Sequence, residues 1–229
     1  MDLYKVLLKN KIIKNGHFIL RSGKHSNTYI EKTRITLFPY LYNEIIRSLV
    51  DNITKIYKYT DYDIITGPAV AGISFAAPVA CELNKSFIFP EKKTLEIEIV
   101  EKIKNNLHLK YTAIDPSHKM EFRPEFKEFI KNKNIIIIED IITTGGSVSR
   151  LCESIYNLSG VPISVFCIIN RNINLNKIYY SYGVTEFAKN NFNSIVENCS
   201  IPINSLITKN IKSFNENECP ICNKNMTNS

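Results

Sequence analysis

Two adjacent carboxylates, Glu139 and Asp140, close a strongly apolar run, Asn134-Ile-Ile-Ile-Ile, and are followed by Ile141, Ile142 and then Thr143-Thr144-Gly145-Gly146-Ser147. Glycine lets a backbone approach a ligand closely and adopt positive φ. Successive N–H groups at the start of a helix point at an anion, and the helix dipole favours its charge. The hydroxyls of Thr143, Thr144 and Ser147 add donors. Residues 143–147 therefore read as a phosphate cradle. The carboxylates stand where open α/β sheets take their ligands, at the C-terminal end of a buried strand. Beside a bound sugar phosphate they would accept hydrogen bonds from ribose hydroxyls. Taken singly, a Gly-Gly pair is an ordinary strand-to-helix turn, and Glu-Asp a solvated strand end or helix cap. The combination of buried strand, paired acids, hydroxyl-glycine turn and helix is what points to a site. No Gly-Lys-Ser/Thr ending is present, which excludes a Walker A ATPase loop.

Three further segments carry possible chemistry. Gly67-Pro68-Ala69-Val70-Ala71-Gly72 is a tight turn between a short apolar strand and a small-residue helix. Its backbone N–H groups can face a diphosphate; the alternative is a turn kept small for helix packing. Arg171 ends the strand Val161-Pro-Ile-Ser-Val-Phe-Cys-Ile-Ile-Asn-Arg, and a guanidinium there can grip a carboxylate through two hydrogen bonds. Cys219-Pro-Ile-Cys222 supplies at most two metal ligands, whereas structural zinc takes four. No second pair stands at finger spacing, so no metal held directly by protein ligands is expected.

These residues need a scaffold. Helical spacing covers residues 1–14, ending near Asn15-Gly16, and again residues 40–57. Residues 18–32 read as a hairpin. Strands are expected at 63–67, 85–89, 134–140 and 161–171, with helices at 73–83 and 148–159. Residues 91–119 are heavily charged, with one or two strands and a mobile loop expected there. From about residue 200 a small appended segment is expected. Continuous apolar strands alternating with helices predict an α/β fold, a parallel central sheet with helices on both faces.

Composition sets outer bounds. The chain has 229 residues, 44% hydrophobic and 22% charged, which suits one buried core with a small accessory region. The net charge of +7 fits a polyanionic substrate. The basic residues are spread rather than blocked, so nucleic acid is disfavoured as a partner. No apolar run approaches a membrane span, and the N-terminus lacks the form of a signal peptide. Six scattered cysteines suit a reducing cytoplasm better than a disulfide framework.

The stretch Ile135–Val148, IIIIEDIITTGGSV, closely resembles the signature by which type I phosphoribosyltransferases bind 5-phosphoribosyl 1-diphosphate (PRPP). The resemblance implies that Glu139 and Asp140 bind the ribose 2′- and 3′-hydroxyls, that residues 143–147 hold the 5′-phosphate, and that Ile141 and Ile142 belong to the same PRPP site. Two other segments look most like the orotate phosphoribosyltransferases: Phe18–Tyr29, FILRSGKHSNTY, and the Gly67–Gly72 loop. The first implies that Arg21, Tyr29 and Ile30 lie over orotate, and the second that residues 67–72 with Lys92 hold the pyrophosphate. Arg171 at its strand end is a third match to those enzymes, which implies that it and Thr143 contact orotate. Mg²⁺ bound through PRPP, a cytoplasmic homodimer, and a hood formed partly by residues 1–35 over a PRPP-binding core of 36–200, with a tail of 201–229, complete the expectation. A related C-terminal Cys-Pro-x-Cys occurs in bacterial members.

There are departures. Val70-Ala71 stand where some members carry Tyr-Lys, and Glu91 where an Arg is usual. Residues 93–118 look like an insertion against a shorter variant. Lys92 is the chosen catalytic-loop lysine, with Lys102, Lys104, His108, Lys110, His118, Lys119 and Arg123 as alternatives. Transfer to another base, such as a purine, or PRPP sensing without catalysis remain open.

Overall fold

Ile135, Ile136, Ile137 and Ile138 are all fully buried, which a strand achieves only when both faces of its sheet are covered. In the computed structural model, residues 2–20, 22–93, 96–103, 107–114, 119–180 and 199–222 are described. The helices are α1 (Leu3–Lys9), α2 (Pro39–Ile56), α3 (Ala71–Glu82), α4 (Lys127–Ile130) and α5 (Gly146–Asn157). A hairpin is made by β1 (Ile13–Ile19) and β2 (His25–Ile30). The central strands are β3 (Ile64–Thr66), β4 (Ser86–Phe87), β9 (Asn134–Ile142), β10 (Val161–Asn170), β11 (Lys177–Tyr180) and β12 (Cys199–Thr208). Between them lie β5 (Glu91–Lys93), β6 (Glu96–Ile103), β7 (Leu107–Ile114) and β8 (Lys119–Glu121).

The six-stranded sheet runs β11-β12-β10-β9-β3-β4. All its pairings are parallel except β11 with β12. Side chains alternate across it, as the strand period requires. Ile136, Ile138, Phe166 and Ile168 pack with Ile45, Leu49 and Ile53 of α2 and with Phe75 and Val79 of α3. Ile135, Ile137, Val165 and Cys167 face the other way, onto Val148, Leu151, Cys152 and Ile155 of α5. Each such side chain contributes roughly 1.5–3 kcal/mol by leaving water. The expected layering, helices on both faces of a mostly parallel sheet, is the observed one. Among the described residues no helix is long and apolar enough to cross a membrane.

Three expectations need correction. The first helix stops at Lys9 rather than near Asn15, because the Asn10 N–H bonds back to the Val6 carbonyl, the Lys11 N–H to that of Leu8, and Lys11 takes a φ of 56°, turning the chain into β1. Among the described residues, 91–119 hold three strands and the start of a fourth, not one or two; the expected loop falls partly outside the described residues. β5 pairs with β8 and β6 with β7, both antiparallel. The Glu-Ile alternation of β6 has the period of a strand, which its charge obscured.

Third, the segment from 200 is not an appendage at first. β12 lies beside β10 in the core sheet, with Val165 opposite Ile203 and Ile169 opposite Ile207, so a boundary at residue 201 falls inside a strand. Pro202, Asn204 and Ser205 break its apolar pattern. The polarity is accommodated, since Asn204 Nδ2 donates to Ser164 Oγ at 2.8 Å. Only the residues after Thr208 leave the sheet.

Candidate active site

The cradle residues meet at the C-terminal ends of β3, β9 and β10. A cleft of about 720 Å³ is bounded by Glu139, Asp140, Ile141, Thr143 and Ser147 from β9 and its turn, by Pro68, Ala69, Val70 and Ala71 from the β3–α3 loop, and by Leu20, Thr28, Tyr29 and Ile30 from the hairpin. Lys32, Thr33, Thr36, Ser74, Phe75, Lys92 and Arg171 complete its wall. A smaller hollow adjoins it, enclosed by Glu139, Ile141, Ile142, Thr143, Gly145, Ser147 and Val148. Segments more than a hundred residues apart in sequence therefore share one cavity, as the motifs require. Thr144 and Gly146 belong to the same turn but bound neither space. Arg21 lies outside the described residues.

The turn is built for close approach. Gly145 precedes α5 with φ +80°, and a β-carbon there would collide with the Ile178 side chain. The helix therefore begins at Gly146, leaving the amides of its first turn without helical partners. Amides so placed, like the Thr143 and Ser147 hydroxyls beside them, are donors of the kind that can receive an anion.

Gly67 and Gly72 act differently from the simplest expectation. They do not bound the cleft; they let the loop close against β9. A β-carbon on Gly67 would lie 2.6 Å from the Gly72 carbonyl oxygen and 2.7 Å from that of Ile138. One on Gly72 would lie 2.7 Å from Pro68 Cδ and 2.9 Å from the Ile138 oxygen. Backbone cannot yield as a flexible side chain can, so these glycines hold Pro68–Ala71 at the cleft wall.

The carboxylates are buried, Glu139 with 7% and Asp140 with 1% of its surface exposed. Glu139 Oε1 accepts from the Asp140 N–H at 3.0 Å, and Asp140 Oδ1 accepts from the Ile141 N–H at 2.6 Å. Asp140 Oδ2 meets the Lys32 ammonium at 2.8 Å. Burial, and then the neighbouring Asp140 carboxylate, hold Glu139 well above the ordinary carboxylate pKa. Lys32 carried no signal in the sequence: it follows the hairpin and reaches Asp140 only through the tertiary fold. It balances one of two crowded negative charges.

A pH dependence follows. With its folded pKa above the unfolded value of about 4.5, Glu139 takes up a proton on folding between the two. It costs no stability below the unfolded value, and the cost grows as pH rises toward the folded one. Glu139→Gln keeps the acceptor oxygen and removes the charge. Its melting temperature should exceed wild type near pH 8, with the gap closing near pH 4. A gap independent of pH would contradict the assignment.

Lys92 reaches the cleft from β5, whose position is set by β8. Met120 of β8 is buried in the α5 layer, and Lys92 stands opposite it. Of the alternatives to Lys92, Arg123 is bound to Glu91 at 2.6 Å, and Lys104 and His118 lie outside the described residues. Arg171 directly follows β10, half-buried. Its Nη2 donates to the Ile211 carbonyl at 3.3 Å, while its Nε is buried with no partner among the described residues. Burial pulls its pKa down, but a guanidinium keeps its charge at any working pH. Tyr29 presents a ring braced by Phe18 at 5.5 Å between centroids.

A glycine-turned cleft at the C-terminal ends of the strands stands where open α/β sheets take their ligands. Residues 41–201 match the phosphoribosyl transferase domain, and the chain belongs to that family of pentosyltransferases. The orotate phosphoribosyltransferase of Caldanaerobacter subterraneus is 28% identical over 218 residues, spanning 95% of this chain and 89% of its own length. The structure of orotate phosphoribosyltransferase from Aeropyrum pernix is similar with a TM-score of 0.57 and 18% identity, covering 90% of this chain and 93% of that one. An adenine phosphoribosyltransferase from Trypanosoma brucei shares the fold about as well, with a TM-score of 0.55 and 18% identity, covering 90% of this chain and 79% of that one.

Proposed function

We propose that this chain transfers the 5-phosphoribosyl group of PRPP to orotate, giving orotidine 5′-monophosphate and pyrophosphate. The observation that carries the choice of base is Arg171. Its half-buried guanidinium has a desolvated Nε with no partner among the described residues, and stands at a cleft that Tyr29 and Ile30 also line. Orotate has a carboxylate to satisfy such a group; adenine and hypoxanthine have none. The near-full-length likeness to a curated orotate enzyme supports the same reading.

In this account Glu139 and Asp140 take the ribose hydroxyls, and Ile141–Ser147 take the 5′-phosphate. Pro68–Ala71 and Lys92 face the pyrophosphate, with Gly67 and Gly72 holding the loop in place. Thr143, Arg171, Tyr29 and Ile30 hold orotate. The C1–O bond to pyrophosphate breaks, its electron pair leaving with pyrophosphate, as the orotate ring nitrogen bonds to C1 and gives up its proton to solvent or the departing pyrophosphate. Positive charge grows on the ribose ring beside the buried carboxylates while negative charge leaves toward Lys92, so fixed charges meet both ends of the developing dipole. Walls on three sides hold the reactants together and exclude water.

The hard oxygen donors Glu139 and Asp140, two buried carboxylates facing one ammonium, suit a site that also receives Mg²⁺, which favours oxygen ligands and substrate phosphates. Mg²⁺ supplies charge neutralisation on the pyrophosphate when it arrives with PRPP. We also infer a homodimer, from the resemblance to this family; light scattering that reads a monomer at micromolar concentration contradicts it.

The test is pyrophosphate release from PRPP with orotate, uracil, adenine and hypoxanthine offered in turn. Turnover with orotate alone is the expected result. Turnover with a purine would move the assignment to another base, and PRPP binding with no turnover would make the chain a sensor.

A further inference from the structure

Among residues that do not bound the cleft, the β1–β2 hairpin and the C-terminal segment bring together two imidazoles and two thiols. His17 Nε2 and His25 Nδ1 are 3.0 Å apart. Cys222 Sγ lies 3.5 Å from that His17 nitrogen and 3.3 Å from that of His25, and Cys219 Sγ lies 3.6 Å from His17 Nε2. One atom from each of the four residues falls within 4.8 Å of all the others. We propose that His17, His25, Cys219 and Cys222 bind a zinc ion that staples the hairpin to the C-terminal segment.

Hydrogen bonding alone does not account for this arrangement. His17 Nε2 faces three partners at once, and one ring nitrogen offers either a single proton or a single lone pair. A cation at the centre satisfies all four atoms together. The separations also fit. Zinc bonds of about 2.3 Å to sulfur and about 2.0–2.1 Å to nitrogen place tetrahedral ligands about 3.3 Å apart for two nitrogens and about 3.5 Å for nitrogen and sulfur. Two thiolates and two imidazoles in a tetrahedron are the ligand set for zinc, whereas Mg²⁺ takes oxygen. Cys219 and His25 are buried, and none of the six cysteines is in a disulfide. Four protein ligands leave no open position, so the ion is structural.

The surroundings are built to bring the ligands together. The register of β1 on β2 is broken between Asn15 and Phe18, a bulge that contains His17. Bulges re-aim side chains, and here His17 comes to face His25. The C-terminal segment is docked beside them. The His25 N–H donates to the Phe214 carbonyl and the Phe214 N–H to the His25 carbonyl, each at 2.8 Å, and the Ser26 hydroxyl donates to the Lys212 carbonyl at 2.9 Å. The same hairpin contributes Leu20, Thr28, Tyr29 and Ile30 to the cleft wall. A zinc staple therefore fixes the wall without touching the reacting atoms. The proposal does not depend on which base the cleft accepts.

The test is metal analysis of the full-length chain purified under reducing conditions with zinc in the medium. About one zinc per chain is expected. Replacement by Co²⁺ should give the visible absorption of a tetrahedral thiolate site. His17 is exposed, so His17→Ala should fold yet lose most of the zinc and show a lower melting temperature; Cys222→Ser should do the same. Because metal binding here is coupled to docking of the segment, chelation should also expose residues 209–222 to protease. Reduced protein that takes up no added Zn²⁺ would overturn the proposal. So would a Cys219–Cys222 disulfide in the folded, metal-free chain, or His17→Ala and Cys222→Ser variants that both keep full zinc.

Discussion

Asp140→Asn is expected to lower kcat by roughly two to three orders of magnitude, the loss typical when one preorganised electrostatic partner of a transition state is removed. The substitution is nearly isosteric. Asn Oδ1 can still accept from the Ile141 N–H, which now donates at 2.6 Å. Lys32 loses its ion pair, but its side chain is 46% exposed and water can take over. The fold should therefore survive, and a melting temperature near or above wild type distinguishes lost chemistry from lost structure. Unchanged turnover would remove Asp140 from the site.

Arg171→Ala is the second large effect. Charge-assisted hydrogen bonds contribute about 1.5–3 kcal/mol, so the KM for orotate should rise roughly ten- to a hundredfold while that for PRPP changes little. Arg171→Lys should rescue only in part, because an ammonium cannot form the two-pronged contact of a guanidinium. Equal changes in both Michaelis constants would assign Arg171 to the framework, where its bond to the Ile211 carbonyl already places one nitrogen.

The layers of the fold were readable because their physics is local. Ile135–Ile138 could be placed in a doubly covered sheet from their run alone, and Leu41, Ile45, Leu49 and Ile53 mark the buried face of α2 by spacing. The cleft was largely readable too, since its wall comes from loops at the strand ends. What escaped was tertiary. β12 was missed because Pro202 and Asn204 interrupt its pattern, and the compensating bond comes from Ser164, 40 residues earlier. Lys32 meets Asp140 across 108 residues of chain, which no spacing rule anticipates. The histidines near Cys219 and Cys222 stand about two hundred residues away, so the pair of cysteines looked half-finished. Gly67 and Gly72 stand out in the sequence as a tight turn, and the structure shows them packed against β9 rather than bounding the cleft.

Everything about the chemistry depends on the buried carboxylate pair and the Thr143–Ser147 turn receiving one phosphorylated ribose between them. Titration calorimetry of the chain with PRPP in the presence of Mg²⁺ measures that most directly. Saturable heat, competed away by ribose 5-phosphate and lost or greatly reduced in Asp140→Asn, is the predicted outcome. No heat at all, or undiminished heat in the variant, contradicts it.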